Sequence, residues 1–337
     1  MKRVPEGKHL LMKNEVFVNG KKENNDDITG QVYQKPNSSI LGYRLRLNLF
    51  NLAKKNPDSS YKAKFIRKPG KYERMSKILS KKQVDRLGKS FWYFGIHNFL
   101  KKSGEAPVII DIRSTKKSVN RLKAYYFNNG YFNVAADYKI DTTGIKKAKI
   151  GYTVTTGKAY ILDTITRQIS TPALDSLFEI NKAETLIISG TQYRTSNFDA
   201  EKSRISNHFR NRGVYNFQQN YIKYNIDTVG NGGKANVKLI IDDYTYRVGD
   251  SMKSEPFKIY KISRVNIFTT NPSDAVSGTK TDSVVYKNFN LYSNGKLRYK
   301  PNAITDAVFI TPDGLFRRLQ DYAYLALSQQ PSGFQLS

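Results

Sequence analysis

The sequence contains no cysteine, few acidic residues and no long apolar run. Without cysteine there can be no disulfide, no thiolate metal site and no cysteine nucleophile. No stretch approaches the roughly 18 consecutive apolar residues of a membrane-spanning helix, and the basic start MKRVPEGKHLLMKN lacks the apolar core of a signal peptide. These absences predict a soluble polypeptide, as given, without an export signal.

Acidic residues are outnumbered two to one by basic ones, 28 against 56, which gives the 337-residue chain a formal net charge of +28. Such a charge favours acidic partners: nucleic acid, anionic lipid headgroups or an acidic protein. Residues 54–102 hold 15 Lys and Arg against three Asp and Glu, together with Trp92 in the cluster FWYFGIHNF. This segment is compatible with a membrane surface, with nucleic acid, or with a solvated insertion whose aromatic residues pack on their own domain.

The main positive feature is an arrangement that occurs twice. YYFNNGYFNVAADYKID, residues 125–141, has the pattern of a helix end, a glycine stop and a strand, and HFRNRGVYNFQQNYIKYNID repeats it at 208–227. Gly130 and Gly213 stand just past the predicted helix ends, where a left-handed backbone favours glycine. The sequence therefore predicts two structural units of one kind.

The elements around these glycines follow the same pattern in both copies. Ser114 or Thr115 is the predicted cap of the first helix and Asn197 that of the second. The first glycine is followed by alternating strands, separated by a break at 141–144. In the second copy we expect a bulge or shifted start in the strand after Gly213, then a turn at 230–233. KANVKLII at 234–241 then aligns with KAKIGYTV at 147–154.

Each copy is preceded by a further strand and helix, and a third copy begins after them. The predicted strands are 10–20, 159–170 and 259–268, the predicted helices are near 25–35, 172–180, 301–308 and 313–328, and RVGDSMKSEPF is read as a linker. The order strand, helix, helix, strand, strand predicts an α+β fold in which two helices cover one face of a three-stranded sheet.

This order resembles the polypeptide-transport-associated (POTRA) domain, through NNGYFNV (128–134) and NRGVYNF (211–217). More narrowly, the chain resembles the periplasmic region of the TamL-type, BamA/TamA-like outer-membrane assembly proteins of Bacteroidota, over about residues 3–316. The stretches that carry this narrower resemblance are VPEGKHLL, QKPNSSILGYRLRLNLFNL, APVIID, ISTPALDSLF and NLYSNGKLRYKPNAITDAVFI. The expected tandem domains are 1–157 with a basic insertion at 54–105, 158–246, and an incomplete third at 257–337.

The resemblance implies a periplasmic scaffold for the assembly or translocation of outer-membrane proteins, with no cofactor and no enzymatic activity. Its partners would be unfolded outer-membrane proteins and periplasmic or inner-membrane assembly proteins. The intact family member reaches the outer membrane through a C-terminal β-barrel. Because a lipoprotein signal, the last domain's strands and the barrel have no counterpart here, the resemblance predicts a truncated, frameshifted or excised form of such a protein.

In this family the strand after the glycine is usually the open edge of its sheet, which corresponds here to about 132–140 and 216–226. An open edge accepts an extended chain through backbone hydrogen bonds. Val134, Tyr138, Tyr221 and Tyr224 are the expected client-binding residues, and Gly130 and Gly213 the expected structural turns.

The residues give no pattern of an active site. His9, His97 and His208 are far apart and lack metal-ligand spacing. GNGG at 230–233 joins two strand patterns, which predicts a hairpin turn instead of a phosphate loop. Asp242 and Asp243 point to opposite faces of a strand. A different function remains open in which the 54–102 segment binds nucleic acid or an anionic membrane.

Overall fold

The chain is an α+β protein with four small sheets in the described part of its computed structural model. The structure describes residues 3–90, 94–230, 232–269, 281–294, 296–297, 299–308, 310, 312–317 and 335–336. Contacts divide the chain into two compact units, Met1–Lys158 and Ala159–Ser337. The predicted fold class is confirmed, and Trp92 lies outside the described residues.

The first unit contains four strands and seven helices among its described residues. These are β1 (Leu10–Val18), β2 (Lys21–Glu23), α1 (Asp26–Thr29), α2 (Leu45–Leu52), α3 (Pro57–Arg67), α4 (Pro69–Ile78), α5 (Lys81–Leu87), α6 (Ile96–Ser103), α7 (Ile112–Asn128), β3 (Val134–Gly144) and β4 (Lys147–Thr156). The sheet order is β2-β1-β4-β3, with β1 parallel and β3 antiparallel to β4.

The core of this unit lies between α7 and the central strand β4. Ile150, Tyr152 and Val154 alternate along β4 and are fully buried, as the period of a strand with one covered face requires. Leu122 and Tyr126 of α7, one helical turn apart, are buried in the same cluster. The apolar pattern of helix and strand therefore sets which faces meet.

Three boundaries predicted for the first unit are wrong. The cap of α7 is Asp111, whose carboxylate accepts a hydrogen bond from the Ser114 backbone N–H at 3.0 Å. The predicted helix near 25–35 is the single turn α1. The predicted break at 141–144 is strand, because β3 pairs with β4 as far as Gly144, and Lys146 in the turn has φ of +59°.

The second unit contains three described sheets. Its elements are β5 (Ile161–Ile169), α8 (Pro172–Ile180), α9 (Thr195–Arg210), β6 (Ile222–Asp227), β7 (Lys234–Ile241), β8 (Tyr244–Val248), β9 (Ser251–Glu255), β10 (Val265–Phe268), β11 (Thr281–Tyr286), β12 (Phe289–Asn294), α10 (Pro301–Asp306) and β13 (Gln335–Leu336), with 3₁₀ turns at Lys182–Glu184 and Gln219–Tyr221. The sheet orders are β5-β7-β6, β8-β9 and β11-β12-β10-β13.

The β5-β7-β6 sheet and helices α8 and α9 reproduce the predicted arrangement. Ile205 and Phe209 of α9 and Leu239 and Ile241 of β7 are buried in one cluster. Gly213, after α9, has φ of +93°, and Gly130, after α7, has φ of +86°. One detail differs from prediction: α9 begins at Thr195, so Arg194 and not Asn197 precedes it. Of the bulge or shifted start expected after Gly213, the structure has the shifted start, because a 3₁₀ turn at Gln219–Tyr221 precedes β6, which begins at Ile222.

The last part of the second unit departs most from prediction. Most of the supposed linker, residues 247–255, belongs to the hairpin β8–β9, and the strand predicted at 259–268 begins only at Val265. A second hairpin, β11–β12, precedes α10, and β12 runs parallel to β10. Of the helix predicted at 313–328, residues 313–317 form a turn and a bridge between Leu315 and Lys261, and the remainder lies outside the described residues.

The predicted three-stranded sheet occurs once. The first sheet has a fourth strand because the chain after β1 turns back at Asn19 and Gly20, and β2 pairs antiparallel with the end of β1. The β11-β12-β10-β13 sheet is also four-stranded. Strand order puts β3 at one edge of the first sheet, β6 at one edge of the second and β11 at one edge of the last. The backbone groups on the outer sides of such edge strands are the ones that another strand could pair with.

Candidate functional site

The candidate site is the outer side of β3, the 11-residue strand at the edge of the first sheet. One side of β3 pairs with β4 from Val134 to Gly144. Within the described part of the chain, no strand pairs with its other side. An unpaired strand side carries a row of N–H and C=O groups that can receive another extended chain.

The hydrogen-bond pattern shows which residues face outward. Gly157 N donates to Asn133 O at 3.0 Å, just beyond the last paired residues of β3 and β4. Hydrogen-bonded positions alternate along an antiparallel ladder. Odd-numbered residues from 135 to 141 therefore bond to β4, and the backbone groups of Val134, Ala136, Tyr138 and Ile140 point away from the sheet.

One of these outward groups is covered by a neighbouring side chain. The Tyr138 backbone N–H donates to Oδ1 of Asp137 at 2.8 Å. This bond is independent evidence that the amide of Tyr138 does not bond to β4. Asp137 itself is exposed, so its carboxylate can move away without disturbing the core.

Val134 and Tyr138, two of the predicted client-binding residues, lie on the edge strand β3 with their side chains turned toward the core. Both are half-buried and pack against the core of the first unit, and Tyr138 lies opposite Tyr152 of β4. The exposed residues of β3 alternate with them and include Asp137 and Lys139. What Val134 and Tyr138 present at the edge is their backbone.

Strand β6 is the corresponding edge of the β5-β7-β6 sheet, and it carries Tyr224. The Tyr224 ring packs edge-on against Phe198 at 4.9 Å between ring centroids. Its hydroxyl oxygen is buried and has no hydrogen-bond partner among the described residues, and burial raises the pKa of this phenol. The side chain of Tyr224 is therefore held in its own domain.

Tyr221 is not on the edge strand, contrary to prediction. It ends the 3₁₀ turn before β6, and its ring lies 5.0 Å from that of Phe257 and 6.3 Å from that of Tyr244. Its hydroxyl donates to Thr245 O at 3.4 Å. These contacts place Tyr221 in an aromatic cluster that joins the start of β6 to the β8–β9 hairpin.

A third open edge, on β11, was missed from the sequence. Lys287 and Asn288 form a two-residue turn with φ of +47° and +66°, so Tyr286 and Phe289 close the hairpin. Alternation from that pair turns the Ser283 backbone outward, and its N–H donates to Asp282 Oδ1 at 2.9 Å. The signal was available in VVYKNFNLY, where two alternating runs flank a turn dipeptide.

The described structure does not gather the histidines and the Asp242–Asp243 pair into a catalytic or metal-binding site. His208 Nε2 lies 3.0 Å from Leu177 O, and burial lowers the pKa of this imidazole. Asp242 pairs with Lys223, whereas Asp243 accepts a hydrogen bond from the Thr171 hydroxyl. Among the described residues, no group of three or more His, Asp or Glu side chains could hold a metal ion, and no helix is long and apolar enough to span a bilayer.

Comparison with known proteins gives the following matches. No protein-family model matches the chain, and no curated protein sequence matches it significantly. Among solved structures, it is similar to POTRA domains 3–5 of Haemophilus influenzae BamA, at 10% identity over 87% of this chain and 100% of that chain, with a TM-score of 0.32. POTRA domains 1–3 of the periplasmic domain of Anabaena Omp85 match at 10% identity over 66% of this chain and 73% of theirs, with a TM-score of 0.23.

The N-terminal domain of Omp85 from Thermosynechococcus elongatus also matches, at 13% identity over 67% of this chain and 74% of that chain, with a TM-score of 0.25. TM-scores of this size are too low to support an inference about function. The geometry of the chain's own sheets is therefore the evidence that bears on its function.

Proposed function

We propose that this chain is a non-enzymatic POTRA-type scaffold that acts in the periplasm, attached to the outer membrane. It would hold unfolded outer-membrane proteins, or periplasmic and inner-membrane assembly partners, by β-strand addition. The observation that carries this proposal is the unpaired outer side of β3, with four backbone positions pointing away from the sheet. Pairing through the backbone suits a scaffold, because it accepts extended chains of many sequences.

The order of elements supports the POTRA assignment. In the second unit β5, α8, α9, β6 and β7 follow one another as strand, helix, helix, strand, strand, and the parallel β5–β7 pair is flanked by antiparallel β6. The first unit has the same order around β1, α1, α7, β3 and β4, with the basic helices inserted before α7. We divide the chain accordingly into domains at 1–157, 158–246 and 257–337.

The length of β3 supports outer-membrane clients in particular. A strand of a transmembrane barrel has about 9–11 residues with alternating apolar and polar side chains. Strand β3 has 11 residues and could pair with such a segment along its whole length. In this proposal Val134 and Tyr138 bind the client through their N–H and C=O groups, Tyr224 does so on β6, and Tyr221 supports β6 from its aromatic cluster.

The proposal is tested by removing one outward N–H. Ala136→Pro deletes an amide that the sheet does not use and places the proline ring where the added strand would lie. We expect the affinity of the full chain for a fluorescein-labelled, 11-residue peptide with alternating apolar and polar residues to fall at least about tenfold, since each lost hydrogen bond contributes about 1 kcal/mol and the ring blocks its neighbours. Fluorescence anisotropy measures this change.

Ala136→Val is the matched control, because it alters the same side chain but keeps the N–H. It should bind the peptide as the unmodified chain does. Equal affinity of the proline and valine variants, both folded by circular dichroism, would rule out capture at β3. If the proline variant loses its fold, amide exchange of the unmodified chain decides: added peptide should slow exchange in 134–141, and unchanged exchange there would place the peptide elsewhere.

A further inference from the structure

The basic insertion of the first unit contains a cationic pocket where α3 is followed by α4. The cavity has a volume of about 520 Å³ and is lined by Lys54, Ser60, Lys64, Arg67, Lys68 and Lys71, among others. Among the residues whose side chains the structure describes, no carboxylate lines it. The sequence showed the excess of basic residues, but only the fold shows that several of them surround one cavity.

Four of the basic side chains that line this pocket have no acidic partner among the described residues. No salt bridge between described residues involves Lys64, Arg67, Lys68 or Lys71. Elsewhere the scarce acidic side chains pair with basic ones, as Glu15 does with Lys22. Like charges held near one another repel, and a bound anion would relieve that repulsion.

The start of α4 adds to the positive potential. This 10-residue helix begins at Pro69, and its N-cap residue, Lys68, makes no side-chain hydrogen bond to the helix end. The first residue, Pro69, has no N–H, and the Lys71 N–H donates to Lys68 O at 3.1 Å. The dipole of the helix still gives this end a partial positive charge that favours phosphate and carboxylate ligands. The helix end and the cationic side chains thus act in the same direction.

The other side chains of these helices favour a membrane lipid over nucleic acid. Phe65 packs edge-on against Tyr61 at 4.9 Å and against Tyr72 at 5.2 Å between ring centroids, so these rings are occupied with one another instead of being free to stack on bases. The prominent exposed apolar residues are aliphatic: Ile66 is 80% exposed and Ile78 is 86% exposed. Exposed aliphatic residues among cations are typical of helices that bind the interface of an anionic membrane.

We propose that the α3–α4 pocket binds the phosphate-bearing headgroup of an anionic membrane lipid. Arg67 and Lys71 bind the phosphate, and Ile66 enters the boundary between headgroups and acyl chains. This site is separate from the edge of β3 and gives the basic insertion a function of its own. It would hold the first unit at a membrane surface while β3 remains available for a client strand.

The test is co-sedimentation of the full chain with phosphatidylcholine vesicles containing phosphatidylglycerol. Arg67→Gln combined with Lys71→Gln should lower partitioning about 25-fold, since each cation at such a surface contributes about a factor of five. Lys116→Gln combined with Lys123→Gln, two exposed residues of α7, removes the same charge outside the pocket. This control pair should lower partitioning far less. An equal loss would overturn the assignment of lipid binding to the α3–α4 pocket.

Further measurements separate the source of the phosphate. Ile66→Ser should weaken vesicle binding but leave the binding of inorganic phosphate, measured by calorimetry, unchanged. Phosphate binding without vesicle binding would overturn a lipid ligand, and so would a DNA duplex that binds more tightly than vesicles and depends on Arg67 and Lys71. The 11-residue peptide should bind the pocket variants normally, so failure of this proposal is distinguishable from failure of strand capture.

Discussion

At the scale of single residues, two aspartates cover open backbone groups. Asp137 on β3 and Asp282 on β11 each accept a hydrogen bond from the N–H of the next residue, at 2.8 and 2.9 Å. Both amides point away from their sheets, where an unpaired edge would otherwise attract any extended chain. The same arrangement therefore occurs on two edge strands, and in each it covers an amide that the sheet does not use.

Removing the carboxylate should therefore strengthen binding at β3. Asp137→Ala exposes the Tyr138 N–H without touching the core, and we expect peptide affinity to rise about fivefold, which corresponds to one hydrogen bond of about 1 kcal/mol. Asp141→Ala is the control, because it removes the same charge from the same strand without freeing an amide. Anisotropy titrations that give equal gains for both variants would assign the effect to charge alone.

Glu201 is the most deeply buried carboxylate among the described residues, with 1% of its surface exposed. It accepts hydrogen bonds from the Leu186 N–H at 3.0 Å and from Arg204 Nε at 2.8 Å. Burial by itself would raise the pKa of this carboxyl, but the bonds from Arg204 and Leu186 outweigh burial, so the pKa is lowered. The stability from this group is present above the ordinary pKa of 4.5 and is lost as the pH falls through the lower, folded-state value.

Glu201→Ala should lower the free energy of unfolding by about 3 kcal/mol near pH 7, since it leaves the half-buried Arg204 without its carboxylate partner. Urea unfolding followed by circular dichroism measures this loss. The difference between wild type and variant should shrink as the pH is lowered below 4.5. Asp199→Ala, an exposed carboxylate on the same helix, should have little effect at any pH, and a comparable loss there would contradict the role of Glu201.

At the scale of secondary-structure elements, the segment that leads from β9 to β10 packs against the turn that follows α9. Tyr260 N donates to Gly213 O at 2.7 Å, and the rings of Tyr215 and Phe316 lie 4.9 Å apart. Phe257 is buried in the core beneath β6 and β7, and its N–H donates to the Thr171 hydroxyl. The segment after β9 is therefore packed against the domain before it.

Glycine is required at position 213, where the turn after α9 meets the segment before β10, for two reasons. Its φ is +93°, and an added Cβ would lie 2.7 Å from Ile259 Cγ2 and 2.9 Å from Tyr260 O. Gly190 has φ of +83° with no atom within 4 Å of that position, so Gly190→Ala isolates the backbone strain. We expect Gly190→Ala to lower the free energy of unfolding by about 1 kcal/mol and Gly213→Ala by about 3 kcal/mol, because steric overlap adds to strain. Equal losses in urea unfolding would mean that Ile259 and Tyr260 move to make room for the added methyl group.

At the scale of the whole molecule, the positive charge and the open strand edges have separate origins. The net charge of +28 arises from an even spread of cations together with the dense cluster on α3 to α6. The open edges arise from strand order and lie on sheets that pack against apolar clusters. A scaffold built in this way could bind a membrane through one feature and a client through the other.

The residue pattern was sufficient to predict the helices and strands on either side of Gly130 and Gly213 and the faces that they bury. Leu122 and Tyr126 on a helix, and Ile150, Tyr152 and Val154 on a strand, have spacings that only one orientation toward a core satisfies. Boundaries such as Asp111 were harder to predict, because capping depends on local hydrogen bonds that several nearby residues could make.

The tertiary structure decided the rest. Strand order placed β3 at an edge, and the bond between Gly157 and Asn133 fixed which of its residues face outward. A shift of one residue would have turned the other set outward, and sequence alternation describes side chains, not the pairing of their backbone. The contacts of Tyr221 with Tyr244 and Phe257 likewise join residues distant in sequence, which no local pattern contains. The cavity beside α3 and α4 is lined by residues close in sequence, but how the two helices pack decides which side chains surround it.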